Sequence, residues 1–173
     1  MKRNKTRELV QIAIAVAAII VGGYGILVLS APFALPGIKF IMMAPYLSMI
    51  MMILLQRIED PYMILKINAV FALIMMSINL FMGLSIALSG LSTQILQKLL
   101  GVKTSFKMKL IASAYSAFVV LTALPISKYF IGGAVFEAIE NRWIVIAACL
   151  AFFVGFVGSL VGIFINKRIA RIY

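Results

Sequence analysis

Acid–base and metal chemistry have few residues to use in this chain, whose 173 residues include no histidine. Metalloprotease HExxH motifs, Ser-His-Asp triads and histidine-ligated haem all require histidine. Cys149 is the single cysteine, so the chain alone can form neither a disulfide nor a cysteine metal cluster. The five carboxylates stand at the ends of apolar runs or between them: Glu8, Glu59, Asp60, Glu137 and Glu140. The sequence therefore predicts that the chain is not an enzyme and has no catalytic residue, metal site or cofactor.

Solute binding has more candidates, because cationic, aromatic and amide side chains occur together after residue 127 and recur at residues 39, 79 and 94. Such a mixture suits a small-solute site. Asn79 and Gln94 fall inside apolar stretches, where hydrogen bonding between helices explains an amide equally well. Trp143 also fits an interfacial anchor. The candidate substrate-binding residues are Lys39, Asn79, Gln94, Lys128, Tyr129, Glu137, Asn141, Arg142 and Trp143.

The composition shows what kind of scaffold must position these residues. The chain is 64% hydrophobic with a mean hydropathy of +1.13, and a soluble domain of this length cannot bury that much apolar surface. Its apolar runs reach the roughly 20 residues needed to cross about 30 Å of hydrocarbon. The predicted fold is an all-α integral membrane protein, a compact bundle of six transmembrane helices in a single domain, 1–173. The predicted spans are 9–29, 38–55, 62–78, 83–99, 108–126 and 143–165.

The boundaries between these spans depend on proline, glycine and length. Pro32 and Pro36 stop a helix, because proline removes a backbone donor and restricts its neighbour. The stretch 61–97 is almost continuously apolar, and as one helix it would reach about 55 Å, which is too long for one crossing. We therefore predict two short spans with a turn near Asn79.

The distribution of basic residues predicts the orientation. Six spans place Lys39, Lys128 and Arg142 on one side and the other 13 of the 16 Lys and Arg residues on the opposite side, if Lys66 snorkels there. The positive-inside rule then puts both termini in the cytoplasm. The net charge of +11 thus follows from topology, with anionic lipid headgroups as secondary partners and no nucleic acid. The three outward cations favour an anionic solute.

Small residues at helical spacing indicate close helix contacts, because packing drives helix association in lipid. In the last span they are Ala151, Gly155 and Ser159, with Gly158 and Gly162, and we expect them to pack inside the bundle. The first span carries Ala13 and Ala17, four residues apart.

These features resemble a known family, the substrate-binding S components of energy-coupling factor (ECF) transporters, which import vitamins and micronutrients. Chain length, six spans and cytoplasmic termini are similar. Ala13 and Ala17 resemble the Ala-xxx-Ala motif of the family's first span. The run Leu35-Pro36-Gly37-Ile38-Lys39-Phe40, followed by Pro45, is similar to its proline–lysine opening of span two, and the last span ends in a basic tail. The Pro36-Gly37-Ile38-Lys39 element also resembles a membrane family named component I of heptaprenyl diphosphate synthase. This chain, however, has no aspartate-rich motif for binding magnesium diphosphate.

The resemblance implies a membrane-embedded, high-affinity binding subunit of an ABC-type vitamin transporter, in the cell membrane of a prokaryote. Such a subunit docks on a transmembrane coupling protein attached to two ATPases, and it topples in the bilayer to release its solute. The chain itself has no GxxxxGK[ST] phosphate loop. By this resemblance, Ala13 and Ala17 form the coupling surface, and residues 32–39 and 128–142 form the lid and part of the site. Two alternatives remain: a non-catalytic accessory or structural subunit of a membrane complex, and a membrane protein of isoprenoid metabolism.

Overall fold

The computed structural model describes residues 5–32, 37–58, 60–102, 104–132, 134–137 and 139–170. These residues form seven helices and no strand. The helices are α1 Lys5–Leu29, α2 Ile38–Arg57, α3 Met63–Met76, α4 Leu80–Leu100, α5 Ser105–Ile126, α6 Ala134–Glu137 and α7 Asn141–Ala170. Helix α5 continues directly into a π-helical turn, Ser127–Ile131. Within the described ranges, the prediction of an all-helical chain is therefore confirmed.

Five of the described helices are long and apolar enough to cross a membrane: α1, α2, α4, α7, and α5 with its π-helical turn. Helix α3 is shorter than the predicted span 62–78, because its 14 residues reach only about 21 Å. It stops where Ser77 Oγ donates to the carbonyl of Ile74 and the side chain of Asn79 caps the next helix. The predicted turn near Asn79 is thus confirmed, and α3 needs the turn residues beside it to approach the length of a full crossing.

Helices α1 and α3 begin, and helices α2 and α7 end, at the same end of the bundle. Arg57 Nε donates to Asn166 Oδ1 at 2.6 Å, which joins α2 to α7. The ammonium of Lys66 pairs with Glu8 and with Asp60, which joins α3 to α1 and to the α2–α3 turn. We call this end, marked by these five residues, the basic end.

The opposite end, which we call the distal end, is marked by Gly37, Phe81, Phe130 and Trp143. The rings of Phe81 and Phe130 stack with centroids 5.5 Å apart, which joins the start of α4 to the π-helical turn. A side chain at Gly37 would begin 3.5 Å from Trp143 Nε1, so α2 and α7 also start together. The six long elements therefore alternate in direction, and the first and last of them both have their outer termini at the basic end.

Helices α2, α5 and α7 pack against one another, and the small residues of α7 make this possible. A Cβ at Gly158 would lie 2.0 Å from the carbonyl oxygen of Pro45, and one at Gly155 would lie 2.4 Å from Ser116 Oγ. Ala151 and Ser159 are fully buried. The structure thus shows the predicted internal packing of the last span.

Helix α1 lies at the edge of the bundle and packs mainly on α2 and α3. Its buried face is formed by Ile12, Ala15, Val16 and Ile19. Ala13 and Ala17 are both exposed on its other side. The alanine pair therefore lies on an outward surface and takes no part in the core.

Candidate solute-binding site

The π-helical turn determines where the polar side chains of the distal end lie. Pro125 lacks the backbone N–H that would bond to the preceding turn of α5, and the helix widens over Ser127–Ile131 soon after it. The turn closes with a bond of 3.0 Å from the N–H of Gly132 to the carbonyl of Ser127. Gly132 then takes φ 71°, which a side chain would disfavour. Such widened turns are frequent at functional sites.

This geometry brings Lys128 to the start of α7. Its ammonium donates to the carbonyl of Ile139 at 2.6 Å and to Asn141 Oδ1 at 3.2 Å. It also lies 5.6 Å from the ring centroid of Tyr129, whose hydroxyl is 3.5 Å from the same Asn141 oxygen. An ammonium has three donors, and these bonds use two of them. The structure therefore brings together Lys128, Tyr129 and Asn141 as sequence reasoning proposed.

Four other candidates lie at the same end without forming one cluster with those three. Lys39 is exposed in the first turn of α2, and Arg142 is exposed in the first turn of α7. Glu137 is exposed at the end of α6. Trp143 is half-buried and packs against a core cluster that includes Ala147. Residues 33–36 of the predicted lid, together with 133 and 138, lie outside the described residues.

Asn79 is also at the distal end, but its side chain caps α4. Its Oδ1 accepts the backbone N–H of Phe81 at 2.9 Å and that of Met82 at 3.2 Å. These are donors that a helix start leaves without an internal partner. The contact explains this asparagine without a solute.

Gln94 lies at the basic end, far along α4 from Asn79. It is buried, its oxygen accepts the N–H of Leu65 at 3.2 Å, and its nitrogen donates to the carbonyl of Pro61 at 2.7 Å. The same nitrogen lies 3.3 Å from Gln97 Oε1. Gln94 thus links α4 to the start of α3 by hydrogen bonds. This is the alternative to solute binding that the sequence left open for Gln94.

Sequence reasoning missed a second polar centre, at the basic end. The side chain of Asp60 is only 2% exposed, and Lys66 Nζ donates to its Oδ2 at 2.7 Å. Beside it, a cleft of about 510 Å³ opens between the α2–α3 turn, the end of α4 and the start of α5. Gln97 lines this cleft, three residues after Gln94 and so on the same face of α4. The three-residue spacing of the two glutamines was the one signal in the sequence. No neighbouring residue showed that their shared face of α4 borders a cleft.

The distal cluster offers cations, an amide and aromatic surface, which are groups that can bind a solute. Among the residues that the structure describes, no group of three His, Cys, Asp or Glu side chains could hold a metal ion. Lys128 and Arg142 stand at the N-terminal end of α7, where the helix dipole favours an anion. The arrangement therefore favours a negatively charged, hydrogen-bonding solute.

No protein-family model, curated protein sequence or solved structure matches this chain. Its function must therefore be inferred from its side chains and their arrangement.

Proposed function

We propose that this protein is the membrane-embedded solute-binding subunit of an ECF-type transporter for a vitamin or similar micronutrient. The observation that carries the proposal is the cluster at the distal end, where the π-helical turn holds Lys128 against Asn141 at the start of α7. The cluster lies opposite the basic end, which is the cytoplasmic end under the positive-inside rule. The site therefore opens away from the cytoplasm, as uptake requires.

The solute class follows from the charges around this cluster. One ammonium donor of Lys128 remains for a ligand, and Arg142 and Lys39 add exposed cations at the same end. Tyr129 and Trp143 supply aromatic surface for an apolar or ring-shaped body. A carboxylate- or phosphate-bearing compound of vitamin size fits this combination, and no catalytic role is assigned to any residue.

The coupling surface is the exposed face of α1. Ala13 and Ala17 lie on it, and alanine allows another helix to approach closely in lipid. Large apolar side chains flank the pair, with Val10 51% and Ile14 64% exposed. The partner is a transmembrane coupling protein that carries two ATPases, in the cell membrane of a prokaryote.

The experiment that tests this coupling is capture of ATPase activity from the source cells. The full chain, tagged and expressed in those cells, is purified in mild detergent as wild type, as Ala13→Phe/Ala17→Phe and as Cys149→Phe. Cys149 is a small exposed residue on α7 and serves as the matched control. Wild type and Cys149→Phe should retain ATPase activity, and the double alanine variant should lose most of it. Absence of ATPase activity from the wild-type preparation would contradict the coupling role.

A second candidate, an accessory subunit without a ligand, is favoured by one observation. The 510 Å³ cleft lies at the basic end, away from Lys128 and Asn141. An accessory subunit would retain partner proteins without ATPase activity and would bind no vitamin-like compound.

A further inference from the structure

We propose that the cleft at the basic end binds the headgroup of an anionic phospholipid. This site lies at the opposite end of the bundle from the proposed solute site, so the two can be tested separately. Its volume of about 510 Å³ falls in the range of small-molecule sites, roughly 300–1,000 Å³. The lining residues are Leu55, Gln56, Ile58, Asp60, Pro61, Gln97, Lys98, Gly101, Val102 and Met108.

The walls of the cleft combine an apolar surface with hydrogen-bond donors. Four apolar residues line it from the end of α2, the turn after α2, the α4–α5 connection and the start of α5: Leu55, Ile58, Val102 and Met108. Lys98 also lines the cleft, and its ammonium lies 4.8 Å from the ring centroid of Tyr62. A ligand with an oxyanion at one end and hydrocarbon at the other matches this pattern.

Gln97 provides a donor inside the cleft. Its side chain is more than nine-tenths buried, and its Oε1 faces the nitrogen of Gln94. That orientation is fixed, since Gln94 uses its own oxygen on Leu65 and its nitrogen on Pro61. Gln97 lines the cleft, and among the described residues its Nε2 makes no hydrogen bond, although every fully buried side-chain nitrogen or oxygen there has a partner. An Nε2 that is open to the cleft satisfies both observations. It is placed to donate to a phosphate oxygen.

The acidic groups near the cleft do not cancel this attraction. Asp60 accepts from Lys66 and, at 3.0 Å, from the N–H of Tyr62. Glu8 is paired with the same ammonium. Lys107 donates to the carbonyl of Leu100 at 2.7 Å, which brings a second ammonium to the end of α4 that carries Lys98. One ammonium against two carboxylates leaves a single negative charge, which the two positive charges of Lys98 and Lys107 outweigh.

The position of the cleft favours a lipid over a free anion. Helices α2 and α4 have 20 and 21 residues, which is about 30 Å each and matches the hydrocarbon thickness. Their shared end therefore lies at the level of the headgroups, where anionic lipids attract clustered lysines. A phospholipid at this level can supply both the phosphate for the polar residues and the hydrocarbon for the apolar wall of the cleft.

The test uses the full chain in detergent, with thermal unfolding as the readout. Phosphatidylglycerol is titrated against phosphatidylcholine with the same acyl chains. Phosphatidylglycerol should raise the unfolding temperature more, and Lys98→Gln should weaken its apparent affinity about tenfold, as expected for loss of a charge-assisted bond. Lys167→Gln removes the same charge from the same end, outside the cleft, and should change the affinity less than about twofold.

A second variant tests the cleft without changing its charge. Val102→Trp fills the space beside Lys98 and should abolish the preference for phosphatidylglycerol. Equal losses in Lys98→Gln and Lys167→Gln would overturn the proposal in favour of diffuse attraction. It would also be overturned if glycerol phosphate alone stabilised the protein as strongly as the lipid, since the cleft would then take a soluble anion.

Discussion

Asn79 shows how one polar residue inside an apolar stretch can be explained by local structure. Its carbonyl oxygen accepts two backbone N–H groups at the start of α4. The sequence predicted a turn here, but it could not separate a cap from a ligand, because both use the same amide. The separation requires knowing where the helix begins, and apolar residues on both sides conceal that boundary.

Substitution of Asn79 should therefore affect folding more than solute binding. Asn79→Ala should lower the free energy of unfolding by about 1 kcal/mol through loss of the cap. Asn79→Ser retains a capping oxygen and should stay within a few tenths of a kcal/mol of wild type. Unfolding by titration with a denaturing detergent measures both. Equal destabilisation by alanine and serine would show that the cap is not what the residue provides.

Asn68 and Tyr115 form a hydrogen bond at the centre of the bundle. The tyrosine hydroxyl donates to Asn68 Oδ1 at 2.7 Å, and the asparagine nitrogen donates to the carbonyl of Ile64 at 2.9 Å. Both side chains are buried. Asn68 stands in an apolar stretch of the sequence, but its partner lies 47 positions away, and only the tertiary fold identifies it.

Tyr115→Phe should reduce the free energy of unfolding by about 1 kcal/mol, within the range measured for hydrogen bonds between helices in membranes. Tyr24→Phe removes the same hydroxyl from a side chain that is 71% exposed and should have no measurable effect. The same detergent titration compares them. If the two variants behaved alike, the central hydrogen bond would contribute nothing to stability.

At the scale of the element, α7 depends on glycine for its approach to α2. The periodicity of small residues predicted an internal face, since that pattern is local and visible in sequence. It could not identify Pro45 as the group opposite Gly158, because contacts between distant helices depend on how the chain turns. The same limit explains why α3 is shorter than predicted. Its apolar run predicted a span over 62–78, but the hydrogen bonds of Ser77 and Asn79 end the helix at Met76.

Gly158→Ala should prevent normal packing of α7 on α2. The added methyl group would lie 2.0 Å from a backbone oxygen that cannot move aside, so the loss should reach about 3 kcal/mol, the upper part of the range for overpacking, or more. Gly25→Ala meets no atom within 4 Å and should be neutral or slightly stabilising. Yield of monodisperse protein and unfolding temperature provide the readouts. A well-folded Gly158→Ala protein would contradict the close contact.

At the scale of the whole molecule, composition predicted the class and the basic residues predicted the alternation of helices. Both signals are large, because hydrocarbon excludes charge along its full thickness. The candidate solute-binding site was harder to predict from the sequence. The sequence predicted Lys128, Tyr129 and Asn141 as candidate solute-binding residues from their types and their proximity along the chain, and the structure shows only that they lie together. The sequence did not find the cleft at the basic end, which arises where three separated segments meet.

The alternation can be tested with single cysteines in a Cys149→Ser background. Ile78→Cys lies in the α3–α4 turn and Thr104→Cys lies just before α5, at the opposite end of α4. An impermeant maleimide applied to intact cells should label the first and leave the second unlabelled until the membrane is opened. Labelling of both positions from the same side would mean that α4 does not cross the bilayer.

The most direct test of the central claim is mass spectrometry of the small molecules released when the purified protein is denatured. We expect one vitamin-like, anionic compound in amounts equal to the protein. That compound should be lost from Lys128→Met and kept by Lys107→Met, a lysine that also donates to a backbone carbonyl but at the basic end. An empty extract, followed by no thermal shift with any vitamin or nucleobase, would contradict the solute-binding role and leave the accessory subunit.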